Sequence, residues 1–289
     1  MSDQRRRTTV VEHASELGAW RMHFLAPTDR QAPFVRRFNA YAEENTGFAR
    51  RRELPSGLAT LVFNLGQELR VEHPVGVRTA YPGGTGFYTG PSSTYAVTET
   101  DRAQAGAQIM LTPLGARRLL GLPLAEVSDQ MIDPIDLFGG AAREVIERLQ
   151  GANSHSRRLA ILEQEVERRL AAATEVAGDL AWATQRLQAT SGRIGVGALA
   201  AELGCSRKHL TVRFRRELGV SPKRLARVLR FARATRLLGR DRIASWAKLA
   251  DICGYADQAH LTREFREFAG SPPTAFLRRV LPDAGGVVD

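Results

Sequence analysis

Two stretches of the chain carry the same side chains at the same spacing, and their polar members are the ones with chemistry to offer. Shifted by 51 residues, His209, Leu210, Thr211, Phe214, Arg215, Gly219 and Pro222 match His260, Leu261, Thr262, Phe265, Arg266, Gly270 and Pro273. On a helix turning about 100° per residue, Leu210, Phe214 and Leu218 point one way. Lys208, Val212, Arg215 and Arg216 point the other way, with Thr211 on the edge. In the second copy Leu261 and Phe265 turn inward, Ala259, Arg263 and Arg266 turn outward, and Thr262 takes the edge. Arg207 and Gln258 occupy equivalent positions in the first turn, where a long side chain can reach forward. These groups recognise rather than react. Arg263 can donate two N–H groups to guanine O6 and N7, Gln258 suits adenine, and Val212 or Ala259 suits a thymine methyl. Arg215, Arg216 and Arg266 suit phosphates, which position a duplex without reading it.

Reactive chemistry has little support. The histidines are His13, His23, His73, His155, His209 and His260, and none forms a His-x-His or His-Glu-x-x-His cluster for a metal. Cys205 and Cys253 can make neither a disulfide framework nor a Cys-x-x-Cys zinc site, a pattern that fits a reducing, cytoplasmic compartment. Both read as small packed side chains beside turns. Gly83-Gly84-Thr85-Gly86 lacks the Lys-Ser/Thr of a phosphate loop. No Ser/His/Asp arrangement has local support. The expectation is a chain with no catalytic residues, no metal and no cofactor. The start, Met1 to Arg7, is basic without an apolar stretch behind it, so it does not read as a secretion signal. No run approaches the ~18 apolar residues of a membrane helix, so no membrane is expected as a partner.

The elements that must position the recognition residues are helices. Val196 to Leu203 leads the first copy, Gly204-Cys205 turns, and Ser206 caps a helix to Leu218. Ala247 to Cys253 leads the second, Gly254-Tyr255 turns, and Asp257 caps a helix to about Ala269. Glycine accepts the positive φ such turns need. This is the helix-turn-helix plan, in which the second helix enters the major groove. Between the copies, Ser221-Pro222 followed by Lys223 to Arg240, with no interior Gly or Pro until Gly239, predict one spacer helix. Its ~19 residues would span roughly 28 Å, near the ~34 Å between successive major-groove faces.

Upstream, residues 1 to about 112 read as β-rich. Ala19 to Phe24 alternates, Leu58 to Leu65 is a short apolar run, and Ala107 to Leu111 is a further strand. Phe87-Tyr88 and Tyr95 to Thr98 flank the turn-forming Gly90 to Ser93. Pro82, Gly83, Gly84 and Gly86 mark the stretch between Gly76 and Gly90 as loop. Helices follow at Leu114 to Leu120, opened by Pro113 and ended by Gly121 and Pro123, then at Ala141 to Leu149 and Arg157 to Leu170. The fold class is α+β: a β-rich first domain with C-terminal helices over 1–172, then an all-α double helix-turn-helix domain over 176–281.

Charge sorts the same way. The 289 residues, 43% hydrophobic and 25% charged, have the composition of a globular protein and carry a formal charge of +10. Residues 1–189 hold 22 basic and 22 acidic side chains, whereas 190–289 hold 19 and 9, so the whole excess sits in the last hundred residues. Basic charge gathered on one domain is the footprint of a polyanion partner.

At Leu249-Ala250-Asp251-Ile252-Cys253-Gly254-Tyr255 and on through Ala256 to Pro273, the chain resembles the AraC/XylS-type transcription regulators. Arg230 to Leu238 is similar to that family's linker helix, and the likeness covers roughly 176–281. The resemblance implies a cytoplasmic, sequence-specific regulator of transcription, with double-stranded DNA and RNA polymerase as partners. It places DNA contacts on Lys208, Thr211, Val212, Gln258, Thr262 and Arg263. Two positions depart from the family: Pro272 stands where Ser is usual, and Phe276 where Tyr is usual. Leu54 to Gly57, Thr60 to Gly66 and Ala105 to Ala116 resemble, less specifically, sensor-like domains of such regulators, often cupin-like barrels. That implies a small-molecule effector or a homodimer, both left open. Two alternatives stand beside this reading. One is a nucleoid-type binder without sequence preference. The other is an enzyme or small-molecule-binding protein with an accessory DNA-binding domain, although the zinc cysteines of a methyl-acceptor repair protein are missing.

Overall fold

The structure is a computed structural model that describes residues 7–16, 18–45, 50–72, 76–92, 94–101, 103–128, 130–238, 245–283 and 285–289. His73, Ser93, Gly239 and Arg240, which figured in the sequence reading, and residues 1–6 lie outside these.

Among the described residues the first domain has eleven strands in two antiparallel sheets. They are β1 (Thr8–Ser15), β2 (Gly18–Leu25), β3 (Val35–Asn45), β4 (Arg50–Glu53), β5 (Ala59–Asn64), β6 (Leu69–Glu72), β7 (Arg78–Tyr81), β8 (Thr85–Thr89), β9 (Ala96–Glu99), β10 (Ala103–Leu111) and β11 (Met131–Ile132). One sheet runs β1-β2-β3-β10-β5-β8-β11 and the other β4-β9-β6-β7. Side chains alternate across β3. Phe38 and Ala40 are buried in the core against the helices, whereas Arg37, Asn39, Tyr41 and Glu43 line a cavity of about 410 Å³ between the sheets.

The stretch between Gly76 and Gly90 is mostly strand, contrary to the loop expected there. Only 82–84 turn; β7 and β8 flank them. Gly86 belongs to β8 because β5 passes so close that a Cβ would run into the Val62 carbonyl oxygen. Glycine here marks close approach of backbones rather than a turn. Phe87-Tyr88 and Ala96 to Thr98 lie in strands, with Tyr95 just ahead of the second, yet the two fall in different sheets. Buried Asn64 fastens the adjoining turn: its Nδ2 donates to the Gln67 and Tyr81 carbonyls, both at 2.7 Å.

Helices cover the outer face of the larger sheet. They are α1 (Pro113–Leu120), α2 (Pro134–Phe138), α3 (Gly140–Gln150) and α4 (His155–Ala172), with a 3-10 turn at Leu124–Val127. Thr112 caps α1 by accepting from the Gly115 N–H, and Gly121 ends it at φ +71°. The stripe Leu159, Leu162 and Val166 on α4 is buried in this domain's own core. His155, at the first position of α4, stacks on His23 of β2 with ring centres 4.4 Å apart.

The remaining helices are α5 (Gly178–Ala189), α6 (Val196–Glu202), α7 (Arg207–Leu218), α8 (Pro222–Leu238), α9 (Trp246–Cys253), α10 (Gln258–Ala269) and α11 (Pro273–Leu277). They enclose two cores. Leu180, Leu187, Leu199, Leu210, Phe214 and Leu218 gather around α7. Phe231, Leu249, Leu261, Phe265, Phe268 and Phe276 gather around α10, with Phe231 edge-on to Phe265 at 5.0 Å. Beyond α11 the chain returns to the first domain. The Arg52 N–H donates to the Val287 carbonyl at 2.7 Å, and Arg52 Nε donates to the Asp289 carboxylate at 2.6 Å. The molecule is therefore an antiparallel β-sheet domain with helices, followed by an all-helical region.

Candidate nucleic-acid interface

Each recognition helix is started and stopped by its own sequence. Ser206 Oγ accepts from the His209 N–H at 3.1 Å, and Asp257 Oδ1 accepts from the His260 N–H at 2.6 Å. Gly219 and Gly270 end α7 and α10 at φ +69° and +66°. The turns ahead of them contain Gly204 at +61° and Gly254 at +79°. A residue with a Cβ would strain at these four angles. Between the two units, Ser221 Oγ accepts from the Arg224 N–H at 3.2 Å, and α8 starts at Pro222. At about 1.5 Å per residue its 17 residues span roughly 25 Å.

The inward residues Leu210, Phe214, Leu218, Leu261 and Phe265 are all buried. Arg207, Lys208, Val212, Arg215, Arg216, Gln258, Ala259, Arg263 and Arg266 are exposed, and Thr211 and Thr262 are half-buried. Val212 is an apolar side chain 57% open to solvent, which its own unit gives no reason for. The two threonine hydroxyls donate back along their helices, Thr211 to the Arg207 carbonyl at 2.8 Å and Thr262 to the Gln258 carbonyl at 2.9 Å. Their methyls and oxygen lone pairs remain to face a partner.

A groove separates the two units. Of the eleven candidate residues it brings together Arg207, Thr211, Arg215 and Arg263; the other seven, six of them exposed and Thr262 half-buried, lie outside it. Arg207 does not reach forward. Its guanidinium lies back over the start of α6, where a Cβ on Gly197 would stand 2.7 Å from it. Sequence reasoning missed Lys223, Arg227 and Arg230, which line the groove from α8. It also missed Glu264, whose carboxylate is 3% exposed and sits 2.7 Å from Arg227 Nε, 3.6 Å from Arg230 and 3.4 Å from His260. A signal was available: Glu264 shares a face with Leu261, Phe265 and Phe268, and an acid on a core face must find cations. Arg230 also donates to the Gly192 carbonyl of the first unit at 2.9 Å, so one side chain ties both units together.

The first domain touches both recognition helices at their C-terminal ends. For α7, Arg117 Nε donates to Glu217 at 2.9 Å, and Ser128, whose hydroxyl donates to the Leu124 carbonyl at 2.7 Å, lies 3.4 Å from the Gly219 carbonyl. For α10, Arg52 Nη1 donates to the Ala269 carbonyl at 2.6 Å while its guanidinium lies over the Tyr95 ring. Gly57 packs against Leu225 of α8.

Residues 199–279 match the family described as a helix-turn-helix domain. The C-terminal unit is an AraC-type helix-turn-helix DNA-binding domain. A second match, over 23–133, is to a domain of unknown function. No curated protein matches the chain. Among solved structures, ToxT from Vibrio cholerae with an unsaturated fatty acid bound is 11% identical at a TM-score of 0.50, covering 89% of this chain and 97% of that one. That likeness shows a shared fold. A DNA-binding transcriptional dual regulator from Escherichia coli K-12 is 23% identical, covering 32% of this chain and 97% of its own, at a TM-score of 0.28. EutQ from Clostridium difficile is 8% identical, covering 33% and 69%, at 0.27.

The two departures within the AraC-type domain have local consequences. Pro272 caps α11 without a side-chain hydrogen bond. Phe276 is buried edge-on to Phe265 at 5.6 Å, where a phenol would need a partner for its hydroxyl. Cys253 is buried and its thiol is pushed up by that burial, while Cys205 is half-buried. Among the described residues no three His, Cys, Asp or Glu side chains could hold a metal, and no helix is long and apolar enough to cross a membrane.

Proposed function

We propose that this chain is a sequence-specific regulator of transcription whose helices α7 and α10 enter successive major-groove segments of one duplex. The observation that carries this is the pairing of two capped recognition helices across one groove, their relative placement held by α8 and Arg230. On this reading Arg263, Gln258, Ala259, Thr262, Lys208, Thr211 and Val212 meet base edges. Arg215, Arg216 and Arg266 meet phosphates, and Arg207 braces α7 against α6. The cavity between the sheets supports control by a small molecule, because the same domain grips both recognition helices.

The test is selection of bound fragments from random DNA at physiological salt, followed by titration of Arg263→Ala. A defined site with half-sites about one turn apart is expected. Loss of Arg263 should reduce discrimination by about 1–3 kcal/mol at one position. Equal affinity for unrelated duplexes would mean a binder without sequence preference. An equal loss of affinity for target and random DNA would remove Arg263 from base reading.

A further inference from the structure

The end strand of the smaller sheet is covered by residues from the far end of the sequence. β4 pairs with β9 on one side. Along its other side run residues 287–289. The Arg52 N–H donates to the Val287 carbonyl at 2.7 Å, the Asp289 N–H donates to the Arg50 carbonyl at 3.2 Å, and Arg51 bridges Val288 in antiparallel fashion. The segment reaches this edge as one arm of a small hairpin, in which Val287 pairs with Val280. Val287 is buried in the core around α10, and Leu54 of the first domain packs against the same core. The helical region thus supplies a strand to an edge that would otherwise be open to pairing.

Arg52 sits where this strand, the sheet and α10 meet. Its side chain is 13% exposed. Nε donates to Asp289 at 2.6 Å, Nη1 donates to the Ala269 carbonyl at 2.6 Å, and the guanidinium lies 4.8 Å from the centre of the Tyr95 ring. Asp289 also accepts from Arg50 Nε at 3.2 Å, so one carboxylate seats two arginines of β4. Ala269 is the last residue of α10, and the final carbonyls of a helix lack partners within it and attract a cation. The approach is close: a Cβ on Gly270 would stand 2.5 Å from Arg52 Nη1 and 2.7 Å from the Tyr95 ring. At the equivalent Gly219 of α7 the neighbours are Ser128 and Leu124, so a different part of the first domain meets that helix.

We infer that Arg52 is a positioning residue for α10: seated by residues 287–289, it fixes how that helix alone presents Gln258, Ala259, Thr262 and Arg263, and so sets base selectivity in one half-site. The inference rests on the reading of α7 and α10 as recognition helices, and adds which residue orients one of them. Ala269 lies roughly 9 Å along the helix axis from Arg263 at ~1.5 Å per residue. The contact therefore leaves the recognition surface open. It orders the helix without obstructing it, and its loss loosens recognition instead of releasing a blocked site.

The experiment measures the affinity of full-chain variants for the selected DNA site and for versions with one base pair changed in either half-site. The half-site in which Arg263→Ala loses discrimination is that of α10. In the wild type each change is expected to weaken binding about tenfold. Arg52→Ala should cut that penalty to about twofold in the α10 half-site and leave it near tenfold in the other. Asp289→Ala, which unseats the guanidinium without removing it, should act the same way more weakly. Arg52→Lys, which keeps a donor for Ala269, should retain most of the discrimination. If Arg52→Ala does not fold, judged by its melting, Asp289→Ala decides by the same measure. Equal losses in both half-sites, no loss in either, tighter binding by Arg52→Ala, or Arg52→Lys no better than Arg52→Ala would each overturn the inference and leave the regulator reading standing. A wild type indifferent to changes in both half-sites would overturn the two together.

Discussion

The two helix-turn-helix units share a plan and differ in how the plan is anchored, most sharply at one equivalent position. Arg213 of α7 and Glu264 of α10 occupy the same place in the 51-residue repeat. Arg213 is 31% exposed and pairs with Asp179 of α5, itself 42% exposed. Glu264 is 3% exposed and binds Arg227 and Arg230 of α8. One position thus carries opposite charges, joined to different helices at different depths. A repeated fold constrains where a side chain lies, while the helix packed against it decides which charge that side chain can bear. The first unit is fastened to the preceding helix by a solvent-screened pair. The second is fastened to the spacer helix by a desolvated cluster.

The difference makes quantitative claims. Glu264→Ala leaves Arg227 and Arg230 beside an empty core position and should cost about 3–5 kcal/mol of unfolding free energy, measured by denaturant titration. Phe214→Ala and Phe265→Ala serve as the control, since both rings are wholly buried. Each should cost about 3–5 kcal/mol, and the two should agree if packing is the shared part of the design. Arg213→Ala should cost below about 1 kcal/mol, as exposed pairs do. Equal costs for Arg213→Ala and Glu264→Ala would break the comparison.

Acid sharpens it. Arg213 hydrogen-bonds Asp179 and holds its carboxyl below the usual range. A depressed carboxyl stabilises the fold fully above its unfolded value near 4 and stops doing so as pH falls through the lower folded value. The small deficit of Arg213→Ala, followed by thermal melting, should therefore be present at neutral pH and vanish in strong acid. The smallest expected effect is salt. Raising salt towards 1 M, where the screening length falls to about 3 Å, should erase the Arg213→Ala deficit and leave that of Glu264→Ala nearly intact.

The helical region was the more legible part of the chain. Its caps, glycine turns and inward residues follow local rules, and duplication stated each of them twice. Glu264 escaped because its partners lie on a helix some 35 residues away in sequence, and the repeat places Arg rather than an acid at the matching position. In the first domain, β2, β5 and β10 were visible from apolar content. β3, the longest described strand, was not, because only one of its faces meets the core and the other, polar face borders a cavity. Asn39 and Glu43 look like surface residues until the opposite sheet is in place. The strands around Gly86 were hidden for the converse reason, as glycine served close approach there and read as punctuation.

The grip of the first domain on Glu217 and Ala269 falls at the C-terminal end of each recognition helix, so each helix-turn-helix unit, moving as one body, is a lever held at that end. Each helix has 12 residues and is about 18 Å long. A tilt of about 10° at the held end would carry the free tip through roughly 3 Å, close to the ~3.4 Å that separates neighbouring base pairs along one strand. A movement too small to disturb the sheets would therefore change which base the tip of α7 or α10 can reach.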